Sequence, residues 1–145
     1  MQPNILIVED DSNTSEAIEL NLEMSESKGK IKVYSVRTIK EAENWLNNTN
    51  NVTGLKVCIL DLMFPPKTGS VTGDPIKDLT QGIALYNNYL KNRVKTIILT
   101  GALTWARSAE TAIKDIIKDD QNTILIKKPV PSAESLIETI ISRLE

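Results

Sequence analysis

The chain has 145 residues, of which 41% are hydrophobic and 25% are charged, and its formal net charge is −2. This length suits one domain with a full hydrophobic core. The charge balance offers no broad basic surface for direct contact with nucleic acid. The absence of histidine excludes His-based acid–base catalysis, Ser-His triads and imidazole metal ligands.

The single cysteine, Cys58, lies within an apolar run and has no partner for a disulfide inside the chain. A reduced, cytoplasmic setting is therefore expected, with the thiol packed in the core. The amino terminus, MQPNILIVEDD, lacks the basic start and long apolar stretch of a signal peptide. No run approaches the roughly 20 apolar residues that a membrane-spanning helix needs, so no membrane contact is expected.

Five short apolar runs predict β-strands at 4–9, 30–36, 55–61, 95–100 and 123–127. Several of them are continuously apolar and rich in Ile and Val, which is typical of strands that are covered on both faces. The second run alternates apolar and polar residues more than the others do. This alternation favours an edge position for the second strand.

Helical patterns follow the five predicted strands, at about 13–26, 38–46, 80–92, 108–120 and 131–144. The second pattern opens with Thr38, and Glu41 follows three positions later, which is the spacing of a capping box. The last two patterns carry apolar stripes at helical spacing. Their members are Ala109, Ala112, Ile113, Ile116 and Ile117 in one, and Leu136, Ile137, Ile140, Ile141 and Leu144 in the other.

The order of elements is therefore a strand and a helix repeated five times, (βα)5. This alternation predicts an α/β domain with a parallel five-stranded sheet and helices on both faces. Right-handed crossovers make such a domain a doubly wound, three-layer sandwich. Ligands of these folds bind beyond the carboxyl ends of the strands, where the strand order reverses.

Chemically capable side chains gather at this predicted edge. Asp61 is the most informative, because it follows a buried-looking strand and an unpaired buried carboxylate is costly. Each residue alone is explained by an ordinary strand end or turn, but together they converge where the architecture binds ligands. The set comprises Glu9, Asp10 and Asp11 after the first strand, Asp61 after the third, Thr100 at the end of the fourth, and Lys127 and Lys128 at the end of the fifth.

Carboxylate oxygens without nearby His or Cys favour Mg²⁺ or Mn²⁺. A carboxylate beside such an ion can attack phosphorus and form an aspartyl phosphate. An ammonium group such as that of Lys128 can neutralise charge on the transferred oxygens, and a hydroxyl such as that of Thr100 can donate a hydrogen bond to one of them. The residues therefore suit phosphoryl transfer to Asp61.

Four motifs in chain order, ILIVEDD, LDLMFP, ILTGA and LIKKPV, resemble those of the receiver domain of two-component response regulators. The resemblance spans nearly the whole chain, and the ordered set is far more specific than any one motif. It implies a flavodoxin-like fold with strand order 2-1-3-4-5. It also implies a single receiver domain over residues 1–145, with no output domain.

The resemblance also implies a role for each site residue. Asp61 matches the phosphoacceptor, with Thr100 as the switch hydroxyl and Lys128, directly before Pro129, as the lysine that meets the phosphoryl group. Mg²⁺, or Mn²⁺ in its place, is the implied cofactor. Its implied ligands are Glu9, Asp10, Asp61 and the backbone carbonyl of Met63.

The implied function is that of a cytoplasmic signalling phosphoacceptor rather than an enzyme. A histidine kinase or phosphotransfer protein would donate the phosphoryl group, and its arrival on Asp61 would switch a surface that binds a downstream protein. Only self-catalysed phosphotransfer and dephosphorylation are implied. A homodimer through the helix between strands four and five, strand five and the last helix is a further implication.

Three features depart from the family pattern. Leu125, three residues before Lys128, stands where the family usually has an aromatic residue. An insertion at about 65–78 follows the third strand, and it is either a tolerated surface loop or a lid that docks a partner. The helix between the fourth and fifth strands is longer than is usual in the family, which predicts a different partner-binding surface. Apart from these departures, Met63 and Ala102, which flank the site, carry no group that can position water, and this predicts slow self-dephosphorylation.

Two other functions compete with the phosphoacceptor. One is a protein-binding module of the same fold that works without phosphorylation, which Leu125 and the insertion favour slightly. The other is a Mg²⁺-dependent phosphatase with Asp61 as its nucleophile. Such an enzyme generally carries a second Asp two positions later as a general acid, and this chain has Met63 there.

Overall fold

A computed structural model of the chain describes residues 5–9, 11–24, 32–61, 81–100, 107–127 and 133–144. Its strands form one parallel sheet of order β2-β1-β3-β4-β5, which confirms the predicted strand order. The strands are β1 (Ile5–Val8), β2 (Val33–Val36), β3 (Val57–Leu60), β4 (Lys95–Thr100) and β5 (Thr123–Lys127).

Helices connect these strands on both sides of the sheet. The helix before β4, named α4, is helical from residue 81 in the described part of the chain and ends in a π-helical turn, Tyr86–Leu90. The others are α1 (Ser12–Glu23), α2 (Ile39–Leu46), α3 (Thr49–Thr53), α5 (Arg107–Ile117) and α6 (Ala133–Leu144). No helix among the described residues is both long enough and apolar enough to cross a bilayer.

The hydrophobic core is divided by the sheet into two clusters. One cluster packs Ile18 and Leu22 of α1 and Ile140 of α6 against one face of the sheet. The other packs residues of α2, α4 and α5, including Trp45 and Tyr86, against the opposite face. Because alternate strand residues point to opposite faces, the continuous apolar runs serve both clusters. The three-layer, doubly wound architecture is confirmed.

The strand predictions hold with shorter boundaries at three of the five strands. The last two strands match the predicted ranges 95–100 and 123–127. β2 lies at one edge of the sheet, as its alternating pattern predicted, but it begins at Val33 rather than at residue 30. Cys58 is fully buried in β3, as expected for a core residue.

Side-chain caps fix where α1 and α2 begin. The Asp11 carboxylate accepts from the N–H of Asn13, so α1 starts one residue before the predicted residue 13. The Thr38 hydroxyl oxygen accepts from the N–H of Glu41 at 3.1 Å, as the capping-box spacing predicted. The Glu41 carboxylate in turn accepts from the N–H of Arg37.

Two local features were not predicted. The short helix α3 lies within a polar, Asn-rich stretch, where Asn48 caps it by accepting from the N–H of Asn50. The π-helical turn at the end of α4 replaces the regular helix expected there. The predicted insertion at 65–78 lies outside the described residues.

Candidate functional site at the carboxyl edge of the sheet

Two of the predicted acidic residues lie side by side at the carboxyl edge of the sheet. Val8 and Leu60 are paired between β1 and β3, and Glu9 and Asp61 are the next residues on each strand. The N–H of Asp61 donates to the carbonyl oxygen of Val8 at 2.9 Å, which continues the parallel ladder beyond the strands. The edge predicted for the site therefore brings the backbones of these two acidic residues side by side.

Both acidic residues are almost fully removed from solvent. Glu9 is 3% exposed and Asp61 is 4% exposed. Glu9 and Asp61 follow β1 and β3, which are neighbours in the sheet. The strand order reverses between these two strands, because the chain passes from β1 to β2 on one side and the sheet continues from β3 to β4 and β5 on the other. This reversal point is the ligand position of doubly wound folds. Two buried acidic residues there are a costly arrangement that needs compensating partners.

Glu9 and Asp11 have different roles although both follow β1. The N–H of Asp11 donates to Oε1 of Glu9 at 3.2 Å, which holds the Glu9 side chain near the edge. Asp11 itself is exposed, and its carboxylate accepts from the N–H of Asn13 and the hydroxyl of Thr14. Asp11 therefore serves as the amino-terminal cap of α1.

The backbones of β4 and β5 reach the same edge. Leu60 of β3 pairs with Ile98 of β4, and Thr100 lies two residues further along. Thr100 pairs in turn with Lys127, the last residue of β5. The backbone register therefore places Thr100 at the predicted edge. Asp10, Met63, Lys128 and Ala102 lie outside the described residues.

The chemistry of the two described acidic residues fits a hard divalent cation. Carboxylate oxygens are the ligands that Mg²⁺ prefers, and Mg²⁺ is usually held by one or two carboxylates. Glu9 and Asp61 supply two such groups at one position in the fold. Among the described residues, no group of three or more His, Cys, Asp and Glu side chains lies close enough together to hold a metal ion.

Leu125 lies in β5 and pairs with Ile98 of β4. It is partly buried and packs against the core cluster that contains Ile98 and Tyr86. An aliphatic side chain thus occupies the position three residues before Lys128. It has no hydroxyl that could donate a hydrogen bond.

Sequence reasoning missed a buried polar network at the opposite, amino edge of the sheet. The hydroxyls of Tyr86 and Thr123 each donate to Oδ2 of Asp120 at 2.6 Å. The N–H of Asn92 donates to the same oxygen, and the N–H of Asn122 donates to Oδ1. The network ties the loop before β4 to the turn before β5. The only sequence signal for it was a polar residue at each turn, which is common in any turn.

The network shifts the pKa of both of its titratable members. Burial alone would raise the pKa of the Asp120 carboxyl, but hydrogen bonds from Thr123, Tyr86, Asn92 and Asn122 outweigh it and lower the pKa. Burial and the hydrogen bond to Asp120 raise the pKa of Tyr86 to about 12. The network therefore holds a charged carboxylate beside a neutral phenol.

Comparisons with known proteins identify the fold. No protein-family model and no curated protein sequence matches this chain. Several solved structures do. The phosphorylated cyanobacterial phytochrome response regulator RcpA has a TM-score of 0.64 and 18% identity, with 98% of this chain and 91% of that chain covered.

Two further structures give the same result. A response regulator receiver protein from Burkholderia phymatum has a TM-score of 0.63 and 21% identity, with 99% of this chain and 95% of that chain covered. The response regulator domain of Thermotoga maritima CheB has a TM-score of 0.59 and 14% identity, with coverages of 99% and 94%. The chain therefore has the flavodoxin-like fold of response regulator receiver domains.

Proposed function

We propose that the chain is a receiver domain of a two-component system and that Asp61 accepts its phosphoryl group. The observation that carries this proposal is the placement of Asp61, 4% exposed, beside Glu9, 3% exposed, where the strand order reverses. The fold shared with response regulators supports it. So does the order of the four sequence motifs along the chain.

The transfer itself needs one nucleophilic oxygen. An oxygen of the Asp61 carboxylate forms a bond to phosphorus as the phosphorus–nitrogen bond of a phosphohistidine donor breaks, and the electron pair of that bond stays on the imidazole. The donor is a histidine kinase or a phosphotransfer protein. The Thr100 hydroxyl and the Lys128 ammonium are proposed to contact the oxygens of the transferred group.

Mg²⁺, or Mn²⁺, is the proposed cofactor. Its proposed ligands are Glu9, Asp10, Asp61 and the Met63 backbone carbonyl. When bound, the ion would neutralise negative charge on the transferred group's oxygens. Glu9 and Asp61 support this proposal, because each brings a hard carboxylate to one edge of the sheet.

The output is proposed to be a change in a protein-binding surface. Phosphorylation adds a charge of about −1.5 to −2 beside β4. In chain order α5 follows β4, and the proposed surface comprises α5, β5 and α6. It would bind a downstream protein or a second copy of the chain. The proposal includes a cytoplasmic location, with Cys58 as a free thiol in the core.

A module that works without phosphorylation is the second candidate. Leu125 favours it, because the aliphatic side chain in β5 packs into the core and offers no polar group for a switch. The buried Asp61 and Glu9 favour phosphorylation instead, because two buried carboxylates are costly to keep in a merely structural role.

The two candidates are separated by intact-protein mass after incubation with acetyl phosphate or phosphoramidate. A receiver gains one phosphoryl group in the presence of Mg²⁺ and loses that gain when the metal is chelated. The Asp61→Asn variant gains nothing, whereas Asp115→Asn, which changes an exposed carboxylate on α5, behaves as the wild type. No adduct in either wild-type sample would favour the phosphorylation-independent module.

A further inference from the structure

A cleft of about 360 Å³ opens at the amino edge of the sheet, opposite the site described above. Cationic side chains dominate its lining. Lys56 directly precedes β3, Lys95 begins β4, and Arg93 lies two residues before Lys95. Arg143 joins them from the last turn of α6. Four cationic residues from three regions of the sequence therefore line one concave surface.

The described residues that line this cleft include no acidic side chain. Within the described part of the chain, none of the four forms an ion pair. The Lys95 ammonium donates to the carbonyl oxygen of Arg143 at 3.1 Å, and the Arg93 guanidinium donates to the carbonyl oxygen of Asn88 at 3.2 Å. Both partners are uncharged acceptors, so neither hydrogen bond neutralises a positive charge of the cleft.

The end of α6 explains only part of this cluster. Arg143 and the Lys95 ammonium lie at the negative end of the helix dipole, which favours cations. Lys56 and Arg93 come from the segments before β3 and β4 and have no such local reason. Their positive charges are also not explained by composition, because the protein has more acidic residues, 19, than basic ones, 17.

The cleft is far from the candidate phosphorylation site. Lys56 and Asp61 flank opposite ends of β3, five residues apart. At about 3.3 Å per residue in a strand, their backbones are roughly 16 Å apart. The basic cleft and the two buried acidic residues therefore lie at opposite ends of the sheet, which keeps the cleft away from the negative charge of the proposed phosphorylation site.

We propose that this cleft binds a small molecule that carries two or more phosphate groups. Its volume lies within the range of about 300–1,000 Å³ that is usual for small-molecule sites. Two guanidinium groups suit phosphate because they can donate paired hydrogen bonds to its oxygens. The exposed Asn122 amide adds a neutral polar group. Four cations match a diphosphate or triphosphate better than a single carboxylate.

Inorganic pyrophosphate is the probe for the test, measured by isothermal titration calorimetry in a metal-free buffer of low ionic strength. Wild-type protein binds it, and added salt weakens the binding. Lys56→Gln and Arg93→Gln each weaken it about tenfold, because each removes a charged hydrogen-bond donor. Lys56→Arg, which keeps the charge, restores binding.

Two control variants locate the binding. Lys40→Gln removes another exposed cation, which lies on α2 outside the cleft, and leaves the affinity unchanged. Asp61→Asn also binds as the wild type, so the result does not depend on the proposed phosphorylation. The proposal is overturned if wild-type protein does not bind pyrophosphate, or if Lys40→Gln weakens binding as much as Lys56→Gln. It is also overturned if poly-glutamate binds more tightly than pyrophosphate, because the cleft would then serve an acidic protein segment.

Discussion

The Tyr86 hydroxyl donates a 2.6 Å hydrogen bond to the Asp120 carboxylate, a residue 34 positions further along the chain. Tyr86 begins the π-helical turn at the end of α4, and Asp120 lies in the turn between α5 and β5. The bond therefore joins the connections on either side of β4. Because Asp120 is only 3% exposed, its charge depends on these donors instead of water.

Removal of the Tyr86 hydroxyl should lower the free energy of unfolding. We expect Tyr86→Phe to cost about 1.5–3 kcal/mol in urea denaturation, the usual range for a hydrogen bond to a charged group. Tyr89→Phe is the matched control on the same turn, because the Tyr89 hydroxyl makes no hydrogen bond within the described structure. An equal loss of unfolding free energy in both variants would show that the hydrogen bond from Tyr86 to Asp120 does not stabilise the fold.

The Asp120 network should also make stability depend on pH in acid. The folded state lowers the pKa of Asp120 below its ordinary value of 3.8. Its contribution is therefore complete above about pH 5, well above the ordinary pKa of 3.8, and is lost as the pH falls through the lowered pKa. Measured from about pH 5 downward, the unfolding free energy of the wild type should fall more steeply than that of Asp120→Asn.

Asp119→Asn is the control for that experiment. Asp119 is the exposed neighbour of Asp120 and lies outside the network. This variant should retain the wild-type slope in acid. If Asp120→Asn retains it as well, the network does not set the acid dependence.

Among the described residues, Asn92 is the one non-glycine residue with a positive φ, which is 60°. Its N–H also donates to Asp120, so the left-handed backbone here directs a donor into the network. Asn92→Val should destabilise the protein by about 1–2 kcal/mol, because a Cβ-branched residue is costly in this conformation. Asn92→Gly should leave stability within about 0.5 kcal/mol of the wild type.

Asn47→Val separates the backbone effect from the change of side chain. Asn47 is also exposed, but its φ is −73°. Thermal denaturation should show a clearly smaller loss for Asn47→Val than for Asn92→Val. Equal losses would contradict the role assigned to the backbone of Asn92.

The Cys58 thiol should be inert in the folded protein. It is fully buried in β3, and burial raises its pKa far above that of a free thiol. A thiol-specific reagent should therefore react only as fast as the protein unfolds, and adding denaturant should release one equivalent of thiol at once. Fast reaction in native buffer would mean that β3 is accessible without unfolding.

The layers of the fold were predictable because each strand is a compact apolar run. Ile5–Val8 and Val57–Leu60 are buried on both faces, and such runs have few alternatives in a domain of this size. The capping role of Thr38 was equally predictable, because it depends only on residues that are close in sequence. Helix caps that depend on local chemistry and strands that are buried on both faces can therefore be predicted from a single sequence.

Other parts depend on contacts that no local pattern contains. The short helix Thr49–Thr53 has no buried residues, so it leaves no apolar period to detect. The bond from Tyr86 to Asp120 joins residues that only the folded sheet brings together. The adjacency of Glu9 and Asp61 was predictable, because parallel strands bring their carboxyl ends to one edge.

The most direct test of the central claim identifies the residue that carries the phosphoryl group. The protein is phosphorylated with acetyl phosphate and Mg²⁺, reduced with borohydride to convert an acyl phosphate into an alcohol, and digested with trypsin. Cleavage after Lys56 and Lys67 gives a peptide, 57–67, in which Asp61 is the only acidic side chain. We predict homoserine in place of Asp61 in that peptide, in a Mg²⁺-dependent yield. An unmodified 57–67 peptide from protein that carries a phosphoryl adduct elsewhere would contradict the assignment of Asp61 as the phosphoacceptor.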